Sequence, residues 1–179
     1  VAFDETAPDN FQPRNVGDAT VLGLEVEMRK NLGFITESLN KFTFGTNITL
    51  VDAQVRMDPA TYQSKLDNAR TGEVISEFRP MQGQAPYIIN AFLTYVDREK
   101  GFEGNISYNV QGSALFIVGL ALNPDVYTVP FHGLNFKFSK SFGEEDKLRV
   151  SLRGTNLLSQ ARQKVYRAFN APDPIFDYL

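Results

Sequence analysis

YIINAFLTY at residues 87–95, VDREKG at 96–101 and FEGNISYNVQ at 102–111 form the stretch of sequence that decides the fold. In the third segment Ile106, Tyr108 and Val110 alternate with polar residues, so that apolar side chains fall on one face of an extended chain. Alternation with a period of two predicts a β-strand with one apolar and one polar face. Two such strands joined by a short charged turn predict an antiparallel hairpin.

The same alternation recurs along most of the chain. Six strands are predicted, at residues 22–29, 42–57, 87–95, 102–122, 134–139 and 148–153. Four segments rich in polar residues and proline are predicted to be loops, at residues 1–19, 58–83, 123–130 and 160–179. Within the second strand the apolar phase shifts by one position after Leu50. A β-bulge, or a section of strand outside a membrane, would account for that shift.

The composition of the 179 residues excludes several kinds of site. The chain has no cysteine and one histidine, His132, which excludes disulfide bonds, thiolate metal sites and histidine-rich metal sites. Its net charge of −3 argues against a nucleic-acid partner, which would require a basic patch. The sequence shows no nucleophile–base pair, phosphate-binding loop or metal-ligand cluster, so we expect neither an enzyme nor a bound metal or other cofactor.

Strands with one apolar and one polar face, joined alternately by short turns and long loops, are typical of an all-β, antiparallel transmembrane β-barrel. Such a barrel turns its apolar face to lipid, where an Arg or Lys at the bilayer midplane costs roughly 2–4 kcal/mol. The charged residues of the polar face are therefore predicted to face the lumen; they are Glu25, Glu27, Arg29, Lys137, Arg149 and Arg153. Lys30 and Lys140 fall in the apolar phase, at strand ends from which a long side chain reaches the interface.

Four aromatic residues fall at the short-turn ends of the predicted strands: Phe42, Tyr95, Phe102 and Phe142. We expect them to form one level ring, a girdle, at the periplasmic interface, because membrane barrels carry aromatic residues at their interfaces. A soluble β-sandwich gives no reason for such an alignment.

Several short motifs follow one another in a fixed order. They are GLEVE at 23–27, RPMQGQAPYIIN at 79–90 with LTY at 93–95, ISYN at 106–109, NPDVY at 123–127, HGLN at 132–135, SKSFG at 139–143 and GTNLL at 154–158. Each motif alone is weak. Together, over most of residues 15–158, they resemble the C-terminal barrel region of the TonB-dependent outer-membrane receptors, specifically the SusC-like type common in Bacteroidota.

The resemblance implies a barrel of about 22 strands in the bacterial outer membrane. It also implies an N-terminal plug domain and energy-coupled import, in which TonB pulls on an N-terminal segment from the periplasm. Residues 1–179 are then expected to be a C-terminal barrel portion of about six strands, without the plug domain, the TonB-contacting segment and the final strand, and without independent activity. The expected partners are outer-membrane lipid and TonB, and a surface lipoprotein lid is a candidate partner.

Substrate recognition in this family lies in the extracellular loops and the plug. The aromatic loop candidates are Tyr62, Tyr127, Tyr166 and Phe169, which would stack on a sugar or peptide, pack loop against loop, or dock a lid. The six lumen-side charges would line the substrate path or form a paired-charge network between barrel wall and plug. The network is the favoured interpretation.

The sequence therefore favours part of a TonB-dependent transporter that imports a bulky nutrient, such as a glycan, a peptide or a metal chelate. One alternative is a barrel that serves as a scaffold in a larger outer-membrane assembly. Another is a soluble β-barrel or β-sandwich binding module, against which the girdle and the loop pattern argue. A plug and a TonB-contacting segment would favour transport over the scaffold, and solubility as a detergent-free monomer would favour the soluble module.

Overall fold

The computed structural model of this protein describes residues 2–4, 7–12, 17–119, 123–143, 147–167 and 175–176. β-Strands dominate this part of the chain, and the paired strands are antiparallel. The all-β class predicted from the alternation is confirmed at this level.

Thirteen strands and one α-helix occur in the residues that the structure describes. The strands are β1 (Ala2–Asp4), β2 (Ala7–Gln12), β3 (Ala19–Asn31), β4 (Phe42–Arg56), β5 (Phe78–Pro80), β6 (Tyr87–Asp97), β7 (Phe102–Gln111), β8 (Leu115–Ile117), β9 (Asp125–Thr128), β10 (Phe131–Phe142), β11 (Leu148–Gly154), β12 (Lys164–Arg167) and β13 (Ile175–Phe176). The α-helix is α1 (Pro59–Asp67), and two short 3-10 helices, Leu32–Phe34 and Glu37–Leu39, lie between β3 and β4.

Six long strands form the main sheet in the order β11-β10-β7-β6-β4-β3, and β5 pairs with the end of β4. The main sheet is not closed, and β3 and β11 are its edges within the described residues. A second sheet of short strands has the order β13-β12-β9-β8, and β1 pairs with β2 in a separate hairpin.

The two ends of the main sheet differ. At the short-turn end, residues 32–41 and 98–101 connect neighbouring strands. At the loop end, α1, β5 and the second sheet are inserted between the long strands. The buried apolar side chains all belong to the loop end; they are Ala53, Val55, Met57, Ala85, Val110, Ala114, Leu115, Val126 and Val165.

The strand β4 runs without interruption. Its pairing with β3 keeps one register along the whole length, so the predicted β-bulge is wrong. The apolar phase shifts after Leu50 because the buried side of β4 changes at the loop end. There Ala53 and Val55, which lie on the side opposite Leu50, are only 8% and 3% exposed, whereas Leu50 is 47% exposed.

The fourth strand ends at Gln111, and its predicted continuation to about residue 122 is wrong. Gly112 still donates its backbone N–H to the carbonyl of Tyr87 at 2.9 Å. The backbone N–H of Ala114 is then donated to Oγ1 of Thr128 at 2.9 Å, so the chain leaves the main sheet and β8 joins β9. The sequence stays apolar after Gly112 because these residues form β8, which is buried in the second sheet. The side chain of Leu115 is 0% exposed.

All four segments predicted to be loops contain regular structure, so these predictions are wrong in part. Residues 1–19 hold the β1–β2 hairpin, 58–83 hold α1 and β5, 123–130 hold β9, and 160–179 hold β12 and β13. The short strands pair mostly with one another, and with two to six residues each they carry little of the alternation on which a strand prediction depends.

The helix α1 begins with a well-formed cap. The Asp58 carboxylate accepts the backbone N–H of Ala60 at 3.1 Å and of Thr61 at 3.0 Å, and Pro59 occupies the first helical turn. Asp followed by Pro is a favoured start signal for a helix, and it was available in the sequence. No helix among the described residues is long and apolar enough to cross a membrane.

Candidate functional site

All six charged residues predicted to face a lumen lie on one face of the main sheet, which we call the polar face. Directly paired residues on neighbouring strands point to the same side, and the register is unbroken from β3 to β11. Following it across the sheet places on this face Glu25, Glu27, Arg29, Lys137, Arg149 and Arg153.

These charges are not paired with one another. Asn47 donates its side-chain amide to the Glu25 carboxylate at 2.6 Å. Arg149 forms an ion pair with Glu103, which is not one of the six. Among the described residues no ion pair joins two of the six, so a paired-charge network is not formed within this sheet itself.

Amides and hydroxyls line the middle of the polar face. Asn109 donates to the side-chain oxygen of Asn90 at 2.5 Å, and Asn105 donates to the hydroxyl of Thr94 at 2.9 Å. These cross-strand hydrogen bonds join β6 and β7 and leave a surface of uncharged donors and acceptors. Such a surface suits contact with water or with a hydroxyl-rich molecule.

The opposite face of the main sheet, the apolar face, is exposed. Its large exposed side chains are Leu22, Leu24, Val26, Met28, Leu50, Leu93, Phe102, Ile106, Phe138, Phe142, Leu148, Val150 and Leu152. At the edges of the sheet Leu22 is 73% exposed and Leu152 is 65% exposed. The exposed apolar side chains extend across all six long strands, and large exposed apolar patches are typical of protein-contact or membrane-contact surfaces.

The four aromatic residues predicted to form a girdle lie on the apolar face at the short-turn end. Phe42 and Tyr95 are cross-strand partners with ring centroids 4.9 Å apart. The ammonium group of Lys140 lies 4.2 Å from the ring centroid of Phe102 and 5.5 Å from that of Phe142. A lysine in the apolar phase is therefore accommodated between two aromatic rings.

A cavity of about 440 Å³ opens at the loop end, between β4, β5 and the second sheet. Its volume falls within the range of small-molecule sites, roughly 300–1,000 Å³. Apolar and polar side chains share its lining; the principal ones are Val51, Ala53, Leu115, Arg79, Tyr127 and Arg167.

Arg79 is the most unusual residue of this cavity. Burial lowers the pKa of its guanidinium below the ordinary value, an effect that Asp125, Asp58 and Tyr127 oppose. Both carboxylates are engaged elsewhere, because Asp125 accepts from the ammonium group of Lys65 at 3.0 Å and Asp58 caps α1. Among the described residues Arg79 has no ion-pair partner of its own.

Arg167 and Tyr127 stack against each other in the same lining. The Arg167 guanidinium carbon lies 4.5 Å from the centroid of the Tyr127 ring, and the guanidinium donates to the hydroxyl of Ser113 at 3.0 Å. Burial, together with Asp125, raises the pKa of the Tyr127 hydroxyl. The hydroxyl therefore stays protonated at neutral pH and is available as a hydrogen-bond donor.

Of the aromatic loop candidates, Tyr127 is at the cavity. Tyr62 lies on α1, outside the cavity lining. Tyr166 pairs with Val126, so it lies on the other side of the second sheet from Tyr127. Phe169 lies outside the described residues. Tyr127 and Tyr166 therefore lie on opposite sides of the second sheet.

Sequence reasoning missed Arg79 and Arg167 as site residues. Arg79 stands at the start of one of the family-like motifs, but nothing in that motif marks it as a ligand-binding residue. Arg167 lies far along the chain, at the end of a strand that was predicted to be loop. The two arginines line the same cavity because β12, which carries Arg167, pairs with β9, which carries Tyr127, and because β5, which carries Arg79, pairs with β4.

The single histidine is engaged in a local hydrogen bond. Its Nδ1 lies 2.5 Å from the hydroxyl oxygen of Tyr108 on the neighbouring strand β7. In the part of the chain that the structure describes, no group of three or more histidine, aspartate or glutamate side chains is placed to hold a metal ion.

Known proteins provide no assignment for this chain. It matches no family model, and neither the curated proteins nor the solved structures give a significant match. The function must therefore be inferred from the two faces of the main sheet and from the cavity at its loop end.

Proposed function

We propose that this chain is the C-terminal barrel wall of a SusC-like, TonB-dependent transporter of the bacterial outer membrane. The transporter would import a bulky nutrient, such as a glycan, a peptide or a metal chelate. The observation that carries the proposal is the division of the main sheet into an exposed apolar face and a hydrogen-bonding, charged polar face. In a transmembrane barrel these two faces meet lipid and a wet lumen.

The position of the core supports a membrane setting. In a soluble antiparallel sheet with one apolar face, that face usually packs on the core. Here the buried apolar side chains gather at the loop end, while Leu24 and Val26 on the apolar face remain 60% and 50% exposed. Lipid would cover this face without any second protein layer.

The stagger of the girdle residues also supports a barrel. Phe42 and Tyr95 share one row of cross-strand partners, which continues to Phe138 on β10. Phe102 lies one row closer to the short turns, and Phe142 lies two rows closer, four residues beyond Phe138. The shift therefore has one direction along the strand order from β4 to β10.

A constant strand tilt turns this stagger into a level ring. Four residues correspond to about 13.5 Å along a strand, and three strand spacings correspond to about 14.4 Å across the sheet. Phe42 and Phe142 would be level if the strands were inclined by about 43°, with Tyr95 and Phe102 within about 3 Å of the same level. This inclination lies within the roughly 35–45° tilt of outer-membrane barrels.

The lysines of the apolar phase fit the same setting. Lys140 lies between Phe102 and Phe142, and the ammonium group of Lys30 lies 5.6 Å from the ring centroid of Phe34. Both lysines are at the short-turn end, where their charges would reach the polar boundary of the bilayer.

The remaining parts of the proposal concern how the barrel would be completed. Unpaired strand edges are not tolerated in the hydrocarbon region of a bilayer, so further strands beside β3 and β11 would close the barrel, at about 22 strands in total. The polar face would then surround a plug on which TonB acts, and a surface lipoprotein lid would meet the loop end. We assign the chain no catalytic role and no cofactor.

Site-directed labelling tests the membrane setting, because the chain contains no native cysteine. Ile106→Cys and Ser107→Cys place a thiol on the apolar and the polar face of β7 at adjacent positions. In bilayers, we expect a fluorophore at position 106 to be quenched by a lipid-borne nitroxide and a fluorophore at position 107 to be spared. Equal quenching at both positions would reject the proposed orientation of the sheet.

The import mechanism needs a second measurement. The denatured polypeptide extracted from its native membrane should have a mass several-fold above 20.1 kDa, because a plug and the rest of the barrel must accompany these residues. A mass near 20.1 kDa would contradict import through this chain.

A further inference from the structure

We propose that the cavity at the loop end binds a small ligand through an oxyanion group, a carboxylate or a phosphate, which is held between Arg79 and Arg167. Both arginines line this cavity, and its volume of about 440 Å³ accommodates a molecule the size of a hexose. The proposal of a binding site depends only on the cavity and its lining residues. The use of this site in capturing nutrient at the cell surface rests on the proposed function.

Arg79 supplies a half-buried positive charge that forms no direct ion pair within the described residues. Its side chain is half-buried, and the nearest protein acceptor in hydrogen-bond range is the carbonyl of Pro80, at the long distance of 3.5 Å. The two carboxylates that influence it, Asp125 and Asp58, already accept hydrogen bonds from Lys65 and from the first turn of α1. These carboxylates offset only part of the cost of burying the guanidinium, whose pKa stays lowered, so an anionic ligand in direct contact would stabilise it further.

Arg167 is held in place before any ligand arrives. Tyr127 supports one face of its guanidinium, and Ser113 accepts one of its N–H groups. A guanidinium has five N–H donors in a fixed plane, so further donors remain for a ligand. Such a planar fork binds carboxylate and phosphate oxygens in pairs.

The charge balance of the lining favours an anion over a cation. Asp52 is the one acidic side chain among the lining residues, and its carboxylate accepts from the amide of Gln54 at 3.2 Å. The lining thus holds two arginines and one aspartate, while Asp125 and Asp58 act on Arg79 from outside it. The apolar side chains of Val51 and Ala53 provide contact for the uncharged part of a ligand.

Three hexoses that differ only at carbon 6 test this inference. D-Glucose carries a hydroxymethyl group there, D-glucuronate a carboxylate, and D-glucose 6-phosphate a phosphate. Titration calorimetry on the unmodified protein should show that at least one of the two anions binds about tenfold or more tightly than glucose. A hydrogen bond between charged groups changes the dissociation constant by about this factor. Preference for glucuronate identifies a carboxylate ligand, and preference for glucose 6-phosphate identifies a phosphate ligand.

Variants assign the effect to the two arginines. Arg79→Gln and Arg167→Gln should each weaken binding of the preferred anion about tenfold, and the double variant should bind it no better than glucose. Arg162→Gln is the matched control, because Arg162 lines a separate cavity of about 240 Å³ and stacks on Phe131 at 4.4 Å. It should leave anion binding unchanged.

Two results would overturn the inference. The first concerns the unmodified protein and requires no variant: it binds all three hexoses with equal affinity, or it binds none of them. The other is anion preference that survives in the Arg79→Gln/Arg167→Gln double variant with an unchanged circular dichroism spectrum. Neither result bears on the labelling of β7, so failure of this inference and failure of the proposed function are distinguishable.

Discussion

The ammonium group of Lys41 lies 2.7 Å from a carboxylate oxygen of Asp97, whose side chain is 1% exposed. Lys41 immediately precedes β4, and Asp97 is the last residue of the neighbouring strand β6. The hydroxyl of Tyr95 and the backbone N–H of Lys100 also donate to this carboxylate, each at 3.1 Å. The buried carboxylate of Asp97 therefore links the connection before β4, the connection after β6 and β6 itself at the short-turn end.

Replacement of Asp97 should destabilise this end of the sheet. Asp97→Ala leaves three donors without their acceptor, and an unsatisfied buried group costs more than an exposed one. We expect the urea midpoint of unfolding to fall clearly below that of Glu99→Ala, which removes an exposed carboxylate from the same turn. Equal midpoints for the two variants would mean that the Asp97 cluster contributes nothing specific.

The same pair predicts how Lys41 responds to alkali. The hydrogen bond to Asp97 raises the pKa of Lys41 above its ordinary value. A raised pKa in the folded state adds stability that is fully present below the unfolded pKa, about 10.4, and is lost as pH rises through the folded value. Lys41→Met should therefore lower the unfolding midpoint at neutral pH. Its difference from the parent should shrink in strong alkali as Lys41 loses its proton, and also in acid as Asp97, whose pKa is lowered to about 2, becomes protonated.

The cap of α1 predicts the opposite dependence on pH. Hydrogen bonds from the side chain and backbone of Thr61 lower the pKa of Asp58. A lowered pKa adds stability above the unfolded value, about 3.9, and this stability is lost as pH falls through the folded value. Hydrogen exchange of the α1 amides should show a protection difference between the parent and Asp58→Asn that is constant near pH 7 and shrinks below about pH 4.

Removing the cap altogether provides the control for that experiment. Asp58→Ala deletes the acceptor as well as the charge, which typically costs about 0.5–2 kcal/mol. It should reduce α1 protection at every pH. A pH dependence identical to that of Asp58→Asn would indicate that the charge alone, rather than the acceptor, supports the helix.

Leu115 should be the costliest position of the loop-end core to truncate. Its side chain is 0% exposed, and Leu115→Ala, which removes buried volume, should lower the free energy of unfolding by about 2–5 kcal/mol. Val74→Ala, at a position 91% exposed, should change the free energy by no more than about 0.5 kcal/mol. Urea unfolding measures both, and similar values would place the core elsewhere.

Charge insertion on β7 should discriminate between the faces of the sheet in a membrane. Ile106→Arg places a guanidinium on the apolar face, where lipid contact would cost about 2–4 kcal/mol near the bilayer midplane. Ser107→Arg places the same group on the polar face, where this penalty is absent. The folded fraction in bilayers should fall for the first variant alone, and an equal fall in both would contradict a lipid-facing apolar surface.

The long strands were predictable because their signal is local. Alternation at residues such as Ile106, Tyr108 and Val110 depends only on neighbouring positions, and it places the six polar-face charges correctly on one side. The end of the fourth strand was not predictable, because the sequence stays apolar beyond Gly112 while the chain moves into another sheet.

The helix α1 and the cavity differ in how far the sequence could predict them. The Asp58-Pro59 start signal of α1 was present in the sequence, but the polar composition of residues 58–83 concealed it. The convergence of Arg79 and Arg167 was beyond sequence reasoning, because it depends on the pairing of β9 with β12 and on the return of β5 to β4. Local periodicity predicts faces, whereas a site assembled from distant segments requires the tertiary fold.

The long strands of the main sheet are neighbours in space in the same order in which they follow one another along the chain. Each new strand therefore finds its partner in the strand made just before it, and the entropy of closing the intervening loop grows only slowly with loop length. No strand has to be inserted between two that are already paired. The sheet can thus assemble by adding one strand at a time to an existing edge, with each hairpin as the template for the next.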